Sequence, residues 1–417
     1  MSRIMIQEDQ RLLDLLKPGS IVYVGGSCAE PHGLLDLIEA QGSQLHDIHY
    51  IQQPLGVVNK RDLSRLTRDS TQRTFFMTPF LRDGLKAGRV EFVPMHMRTI
   101  FNYLAQTTID VALLQAARDV NGQLRFAPNV DYVDAVLQSV DHLVIEENTS
   151  YLAPIGTPLV DLSRVDLLLK IESKKPLVPV GETDEVSEKI GRLIATLIKD
   201  GDCLQTGIGA VPAAILANLN ECNDLGFHGG LMDDGVMALI RQGNINGKRK
   251  NIDAGKHILG MALGSEELLT WLASDPLSQH VIFRSADYTH EPTIIRQLDN
   301  FVSINSAIEI DLMGQVNAEV AAGRQISGTG GSVDFMRSAK ASRGGRSIVA
   351  MSSTARRGTV SRIVAQVDVV TALRTDVDIV VTEYGIAELR NESLQSRAEK
   401  LISIAHPDFR DELIAGG

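Results

Sequence analysis

The sequence predicts an α/β protein built around mainly parallel sheets and divided into two halves. Three observations carry this. Short apolar runs alternate with helix-like segments. SIVYVGG (20–26) reads as a buried strand and PHGLLDLIEA (31–40) as a helix with Pro31 at its start. VEFVP (90–94), VALLQA (111–116), HLVIEE (142–147) and VDLLLKI (165–171) read as further strands. Next, ESKKPLVPVGETDE (172–185), with two prolines and many charges, reads as a linker before the amphipathic helix VSEKIGRLIATLIKD (186–200). It predicts domains over 1–175 and 186–417. Last, PGSIVYVGGSCAEPHGLL (18–35) and DGDCLQTGIGAVPAAIL (200–216) share an order of turn, strand, glycine loop, proline and helix. Either the halves are duplicates, with a ligand held between two glycine loops, or these are two ordinary βα units.

Bulk composition narrows the function. The 417 residues are 44% hydrophobic and 22% charged, the balance of a globular protein with a large core. A net charge of -11 argues against a nucleic-acid partner, whose phosphates need cations. Cys28, Cys203 and Cys222 are dispersed, which fits a reducing cytoplasm and no disulfide framework or zinc site. The start MSRIMIQEDQRLL has early acids and no continuous apolar core, unlike a signal peptide. No run approaches the ~18 apolar residues of a membrane span.

Several segments have the makings of a site. TGIGAVP (206–212) joins a strand to a helix, and its glycines can turn backbone N–H groups toward a phosphate or an oxyanion. It lacks the Lys-Ser/Thr of a Walker loop. SGTGGSVDF (327–335) offers Gly328, Gly330 and Gly331, which allow close approach of a bulky ligand. Arg343, Arg346, Arg356, Arg357 and Arg362 form a local basic excess that suits a phosphate-bearing ligand or a solvated face. In SINSAIEIDLMGQVNAE (303–319), Glu309 and Asp311 share one strand face, and Asn305 could donate to a thioester carbonyl. VVTEYGIAELR (380–390) puts Glu383 at a strand end, as a catalytic group or a cap. The ten histidines show no metal spacing, His406 before Pro407 marks a helix end, and no G-x-S-x-G elbow is present.

Together TGIGAVP (206–212), INSAIEIDLMGQVNAE (304–319), SGTGGSVDF (327–335), STARRGTVSRIV (353–364), VVTEYGIAELR (380–390) and AHPDFRDEL (405–413) resemble the acetyl-CoA hydrolase/transferase family. This class I CoA-transferase family includes 4-hydroxybutyrate and acetate CoA-transferases. DVALLQAARDVNGQLRFAPNVDYV (110–133) extends the resemblance loosely into the first half. The resemblance implies two similar doubly wound α/β domains with the active site between them, coenzyme A and acyl-CoA as substrate, no metal, and a homo-oligomer. It implies ping-pong chemistry through a glutamate that attacks the thioester, then carries CoA as a glutamyl thioester. It makes Gly207, Ile208, Gly209, Ala210 and Val211 a loop touching CoA and the oxyanion, with Asn305, Gly328 and Gly330 as further CoA contacts.

The same resemblance exposes a gap. The family's nucleophile lies in a turn reading glycine, apolar, histidine, Ser/Thr, glutamate, then apolar residues and Asp-Gly. Here GFHGGLMDDG (226–235) puts Gly230 in the nucleophile's place. A shift of three or four residues would bring in Asp233 or Asp234 but break the match at Asp234-Gly235. Three readings follow. A CoA-transferase could take its acid from elsewhere, with Glu30 and Asp62 as candidates, either of which could instead be a cap or a surface charge. A hydrolase could admit water into the space at Gly230, with Glu309 or Glu383 as base. A non-catalytic CoA-binding protein could keep the scaffold. A space left open at Gly230 would also suit a bulkier or dicarboxylic acid.

Overall fold

The computed structural model describes residues 2–179 and 183–416. The middle of the expected linker, 180–182, lies outside the described residues. The chain divides into two compact units, each made of two stretches. Met1–Pro179 joins Gly260–Asp287, and Val180–Leu259 joins Tyr288–Gly417. This differs from a single cut near the linker. Residues 260–287 belong with the first unit because their backbone bonds there. Val130 N–H donates to Gly260 O at 2.9 Å, Ala262 N–H to Pro128 O at 2.9 Å and Ala286 N–H to Asp131 O at 2.8 Å. Partners more than a hundred residues away leave no local mark in a sequence.

In the first unit seven strands pair in the order Val90–Phe92, Thr71–Thr74, His49–Gln52, Ile21–Val24, Ile109–Arg118, Val140–Asn148, Leu167–Ile171. Every neighbour in that row is parallel. Leu124–Phe126 adds antiparallel to Ile109–Arg118. Apolar residues bury one face beneath helix His32–Ala40, with Leu34, Leu35 and Ile38 against Val22, Val24, Val111 and Val144. Pro31 is the N-cap of that helix and lends no side-chain oxygen. The buried Glu146 carboxylate does so instead, accepting from Leu34 N–H at 3.0 Å.

In the second unit Gly226–Phe227, Cys203–Gln205, Phe301–Asn305, Arg346–Ala350 and Ile379–Thr382 run parallel in that order. Gly385–Glu388 folds back antiparallel on Ile379–Thr382. Helix Glu185–Ala195 opens with Asp184 accepting from Ser187 N–H at 2.7 Å, and ends five residues short of the expected span. Phe301, Phe335, Ile295 and Leu298 form one buried cluster, and Val349, Val380, Leu389 and Leu401 belong to another. Each unit's first strand lies where the strand order reverses, the usual ligand position in open parallel sheets. The two sheets differ in extent: three strands lie beyond Ile21–Val24 on its far side, and one lies beyond Cys203–Gln205.

Candidate active site

In the second unit the Gly207 loop, Gly229–Gly230, Asn305 and Glu383 stand at the carboxyl ends of the parallel strands. After Cys203–Gln205 the chain loops through Gly207 to Gly209, the N-cap of helix Ala210–Ala217. Gly209 has φ 116°, a conformation that side chains resist. A Cβ at Gly207 or Gly209 would meet nothing within 4 Å, and Ile208 is 40% exposed. The loop is therefore open, with helix N–H groups behind it. Pro212 sits at the third helical position. On the adjacent strand Asn305 Nδ2 donates to Gln205 Oε1 at 3.1 Å and to Ser303 Oγ at 2.8 Å. That network fixes the amide beside the glycine loop.

Gly229 and Gly230 follow the neighbouring strand Gly226–Phe227. His228 is fully buried, and its Nε2 lies 3.1 Å from Thr289 O. Burial, aided by Lys250, pulls its pKa down to about 3, so it is a neutral packing group. The space expected at Gly230 is partly filled. A Cβ there would lie 3.0 Å from both Cε1 and Nε2 of His290, and 3.7 Å from Phe335. At Gly331 it would lie 2.3 Å from the same Nε2. The His290 ring thus covers both glycines, with Nδ1 2.8 Å from Thr289 Oγ1 and the Phe335 ring centroid at 4.5 Å. Gly331 therefore serves this packing. Gly330 has φ 58°, Gly331 is the N-cap of helix Ser332–Ala341, and Gly328 is buried. Asp233 accepts from Gly235 and Val236 N–H at 3.1 and 3.2 Å as N-cap of helix Asp234–Gln242, so it is committed to structure.

Of the two candidate bases, Glu383 stands in the turn after Ile379–Thr382. Its oxygens accept from Ser353 N–H at 2.8 Å and Ser353 Oγ at 2.7 Å. Glu309 accepts from Asn317 Nδ2 at 3.1 Å. Arg362 interacts electrostatically with both, and burial lowers its own pKa against their opposing pull. Asp311 turns to Met313 and Gln315 N–H at 3.0 and 2.9 Å as a turn cap. The basic excess is largely spent on the fold. Arg346 pairs with Asp202 at 2.5 Å, Arg343 pairs with Asp299, and Arg362 donates to the carbonyls of Ala307 and Ile308. Arg356 and Arg357 remain exposed, at φ 50° and 58°.

In the first unit Glu30 follows strand Ile21–Val24 and is 2% exposed. Its Oε2 accepts from Gln52 Nε2 at 3.0 Å and Asn59 Nδ2 at 2.8 Å. Asp62 takes the capping alternative. It accepts from Ser64 N–H at 3.1 Å at the start of the short helix Leu63–Arg65 and lies 3.3 Å from Arg65 Nε. Three residues escaped the sequence reading. His290 lies 60 residues from Gly230 and carries no local signal. His32, Nδ1 3.1 Å from Glu30 Oε1, was legible in Glu30-Pro31-His32 as a carboxylate and imidazole at one βα turn. Asn59, a ligand of the same carboxylate, was not. Among the described residues no group of three His, Cys, Asp or Glu could hold a metal ion, and no helix is long and apolar enough to cross a membrane.

Comparison with known proteins agrees across the chain. The family model for the acetyl-CoA hydrolase/transferase N-terminal domain matches residues 4–166, and that for the C-terminal domain matches 264–416. The 4-hydroxybutyrate coenzyme A transferase of Clostridium kluyveri is 36% identical over 378 residues, covering 89% of this chain and 86% of its own. The succinyl-CoA:cyclohexane-1-carboxylate CoA transferase of Geobacter metallireducens is 34% identical over 344 residues, covering 81% and 78%. Among solved structures, RipA from Yersinia pestis matches with a TM-score of 0.90 at 32% identity, covering 98% and 96%. The 4-hydroxybutyrate CoA-transferase of Porphyromonas gingivalis matches with a TM-score of 0.80 at 32% identity, covering 99% and 98%.

Proposed function

The chain belongs to the acetyl-CoA hydrolase/transferase family and is an enzyme of CoA transfer, and we propose that it moves CoA between an acyl-CoA and a small carboxylate without a side-chain nucleophile at position 230. The observation that carries the reading is that the open Gly207–Val211 loop, the fixed amide of Asn305 and the carboxylate of Glu383 all stand at the carboxyl ends of parallel strands of the second sheet, while Glu309 opens a strand of a separate three-stranded sheet. The loop N–H groups stabilise a tetrahedral oxyanion, and Asn305 orients the thioester carbonyl. Of the glycines in 327–335, Gly330, at φ 58°, is the one left to meet the CoA chain, since Gly331 lies under the His290 ring and Gly328 is buried. Glu309 and Glu383, which both interact electrostatically with Arg362, are the candidate acids of the second unit, and Glu30 is that of the first. Asp62 drops out because its carboxylate caps a helix. The reactants are acyl-CoA and carboxylate, and the reading involves no metal, nucleic acid or membrane. A cytoplasmic homo-oligomer completes the proposal, supported by three free cysteines and tested for assembly by light scattering.

Hydrolysis is a second reading, favoured by Gly230 itself, because a site without that acid forms no glutamyl-CoA there. Mass spectrometry separates the two. The purified protein is mixed with one acyl-CoA and a pool of short mono- and dicarboxylic acids. New acyl-CoA esters are the expected result. Free CoA as the sole product would replace transfer with hydrolysis, and an unconsumed acyl-CoA that raises the Tm would leave a binding protein.

A further inference from the structure

We propose that a hairpin over residues 354–361 and the helix Arg410–Gly416 hold the nucleotide end of CoA, with the adenine ring in the cavity between them and the phosphates on Arg356 and Arg357. The inference rests on the reading that CoA is handed over at the carboxyl ends of the second sheet, and it names the groups that grip the far end of that substrate.

The hairpin stands where such a grip is needed. Val349, in strand Arg346–Ala350, pairs with Asn305. Just past that strand Ser353 donates its N–H and Oγ to Glu383 at 2.8 and 2.7 Å. Arg362 closes the base from the returning side, its N–H on Ser353 O at 2.9 Å and its guanidinium on Ser352 Oγ at 2.8 Å. Between them Thr354–Ala355 pairs antiparallel with Val360–Ser361. Four residues separate Ser353 from Arg357, at most about 14 Å of extended chain. The pantetheine arm of CoA has a length of the same order. A thioester beside Asn305 and Glu383 therefore sets its phosphates within reach of the tip. On the other side of Glu383, the Tyr384 ring lies 5.4 Å from that of His406, and His406 lies 6.0 Å from Phe409, which leads to the cavity.

The tip carries two unspent cations on a strained backbone. Arg356 and Arg357 have φ of 50° and 58°, values that glycine adopts freely and arginine resists. Thr359 Oγ1 donates to Arg356 O at 2.9 Å and holds the turn. Both side chains are exposed, and neither guanidinium has an ion pair or hydrogen bond among the described residues. Arg343, Arg346 and Arg362, by contrast, are committed to the fold. Strain retained under a pair of free charges points to a ligand. Planar guanidinium forks match phosphate oxygens.

The cavity supplies the other half. It encloses about 390 Å³, with apolar walls from Val360 and Ile363 on the hairpin side and Phe409 and Leu413 on the helix side. A flat heteroaromatic ring fits between such walls and stacks on Phe409. Glu412 also lines the cavity, and its carboxylate accepts from an amino group such as adenine N6. A fatty chain would leave the arginines idle, and a lone phosphate would leave the cavity idle. The nucleotide half of CoA uses both.

Calorimetric titration of the full-length protein with 3′-phospho-ADP, the nucleotide half of CoA, reads the site without turnover. The wild type should bind it. Arg356→Gly/Arg357→Gly suits the left-handed backbone, so its Tm should not fall, yet its affinity should drop about tenfold or more. Phe409→Ala should weaken binding several-fold and Phe409→Trp should keep it, which separates stacking from loss of fold. In exchange assays the preference for acetyl-CoA over S-acetylpantetheine, measured as the ratio of kcat/KM, should collapse in the double variant. A wild type that does not bind 3′-phospho-ADP, or a double variant that binds it equally well, would overturn the site and leave the arginines a solvated face. So would a Phe409→Ala protein of wild-type affinity, or a double variant that slows both thioesters alike. In each of those cases ester exchange by the wild type would leave the transfer reading standing. A wild type that binds 3′-phospho-ADP through these arginines but exchanges no CoA would keep the site and sink that reading.

Discussion

His290 sets a measurable limit on what position 230 can hold. A methyl group at Gly331 would stand 2.3 Å from His290 Nε2 and 2.4 Å from Cδ2, more than an ångström inside ordinary contact. At Gly230 the nearest approach is 3.0 Å, to Cε1 and Nε2. The ring cannot swing away freely, because Thr289 Oγ1 holds Nδ1 at 2.8 Å and the tilted Phe335 ring packs beside it, centroids 4.5 Å apart. Overpacking of this kind costs about 1–3 kcal/mol. Gly331→Ala should lie near the upper end and Gly230→Ala nearer 1 kcal/mol. Since the strain runs through one ring, His290→Ala should relieve it. The double variant His290→Ala/Gly331→Ala should be more stable than the sum of its singles by about 1–3 kcal/mol. Thermal unfolding of the four proteins, followed by calorimetry, measures the coupling. Additive losses, or a Gly331→Ala protein as stable as the wild type, would show that the ring does not guard these glycines. The same geometry predicts that Gly230→Glu folds well only when His290→Ala accompanies it.

Three further outcomes are expected. A Cβ at Gly207 meets nothing within 4 Å, so Gly207→Ala should keep the wild-type Tm while raising KM for acyl-CoA several-fold; an unchanged KM would remove this loop from the CoA site. Asp131 is buried and its pKa is raised to about 7, so the folded state holds a proton that the unfolded chain releases near pH 4. Its contribution is full below that pH and lost as pH rises through about 7. Asp131→Asn should therefore gain up to about 4 kcal/mol relative to wild type above pH 7, read from urea unfolding at pH 5 and 8. His228 and His290 run the other way, with folded pKa values near 3 set by burial. Their neutral forms support the fold above pH 6.5, and that support falls away as acid protonates the unfolded chain first. His228→Asn should flatten the loss of stability between pH 6.5 and 3, and an unaltered slope would refute it.

What the sequence made legible follows the physics of its signals. Ile109–Arg118 is a mostly apolar run, buried along nearly its whole length as a strand covered on both faces should be, and Val140–Asn148 carries the shorter buried core Leu143-Val144-Ile145; each was found as a strand. His49–Gln52 and Thr71–Thr74 were missed because buried polar groups replace apolar ones there. Gln52 serves Glu30, and Gln72 Oε1 accepts from Leu63 N–H at 2.9 Å. The glycine loop at 206–209 was visible because glycine spacing is local. The filling of the space at Gly230 was not, since His290 approaches from a distant segment. The arginine excess looked like a ligand site for the same reason: Asp202 and Asp299, which pair with Arg346 and Arg343, lie far off in sequence.

The two-stretch composition of each unit bears on how the polypeptide is made. As the chain leaves the ribosome, the strands from Ile21 to Ile171 are all available early, yet the backbone groups of residues 128–131 must wait for 260–287 to emerge. Meanwhile Cys203–Gln205 has only the two-residue strand Gly226–Phe227 beside it until Phe301–Asn305 arrives. The halves therefore finish folding in interleaved order rather than one after the other. A gene fragment stopped near residue 175 would yield a first half with unsealed seams, prone to capture by chaperones, whereas a fragment extended through residue 287 would carry its own closure.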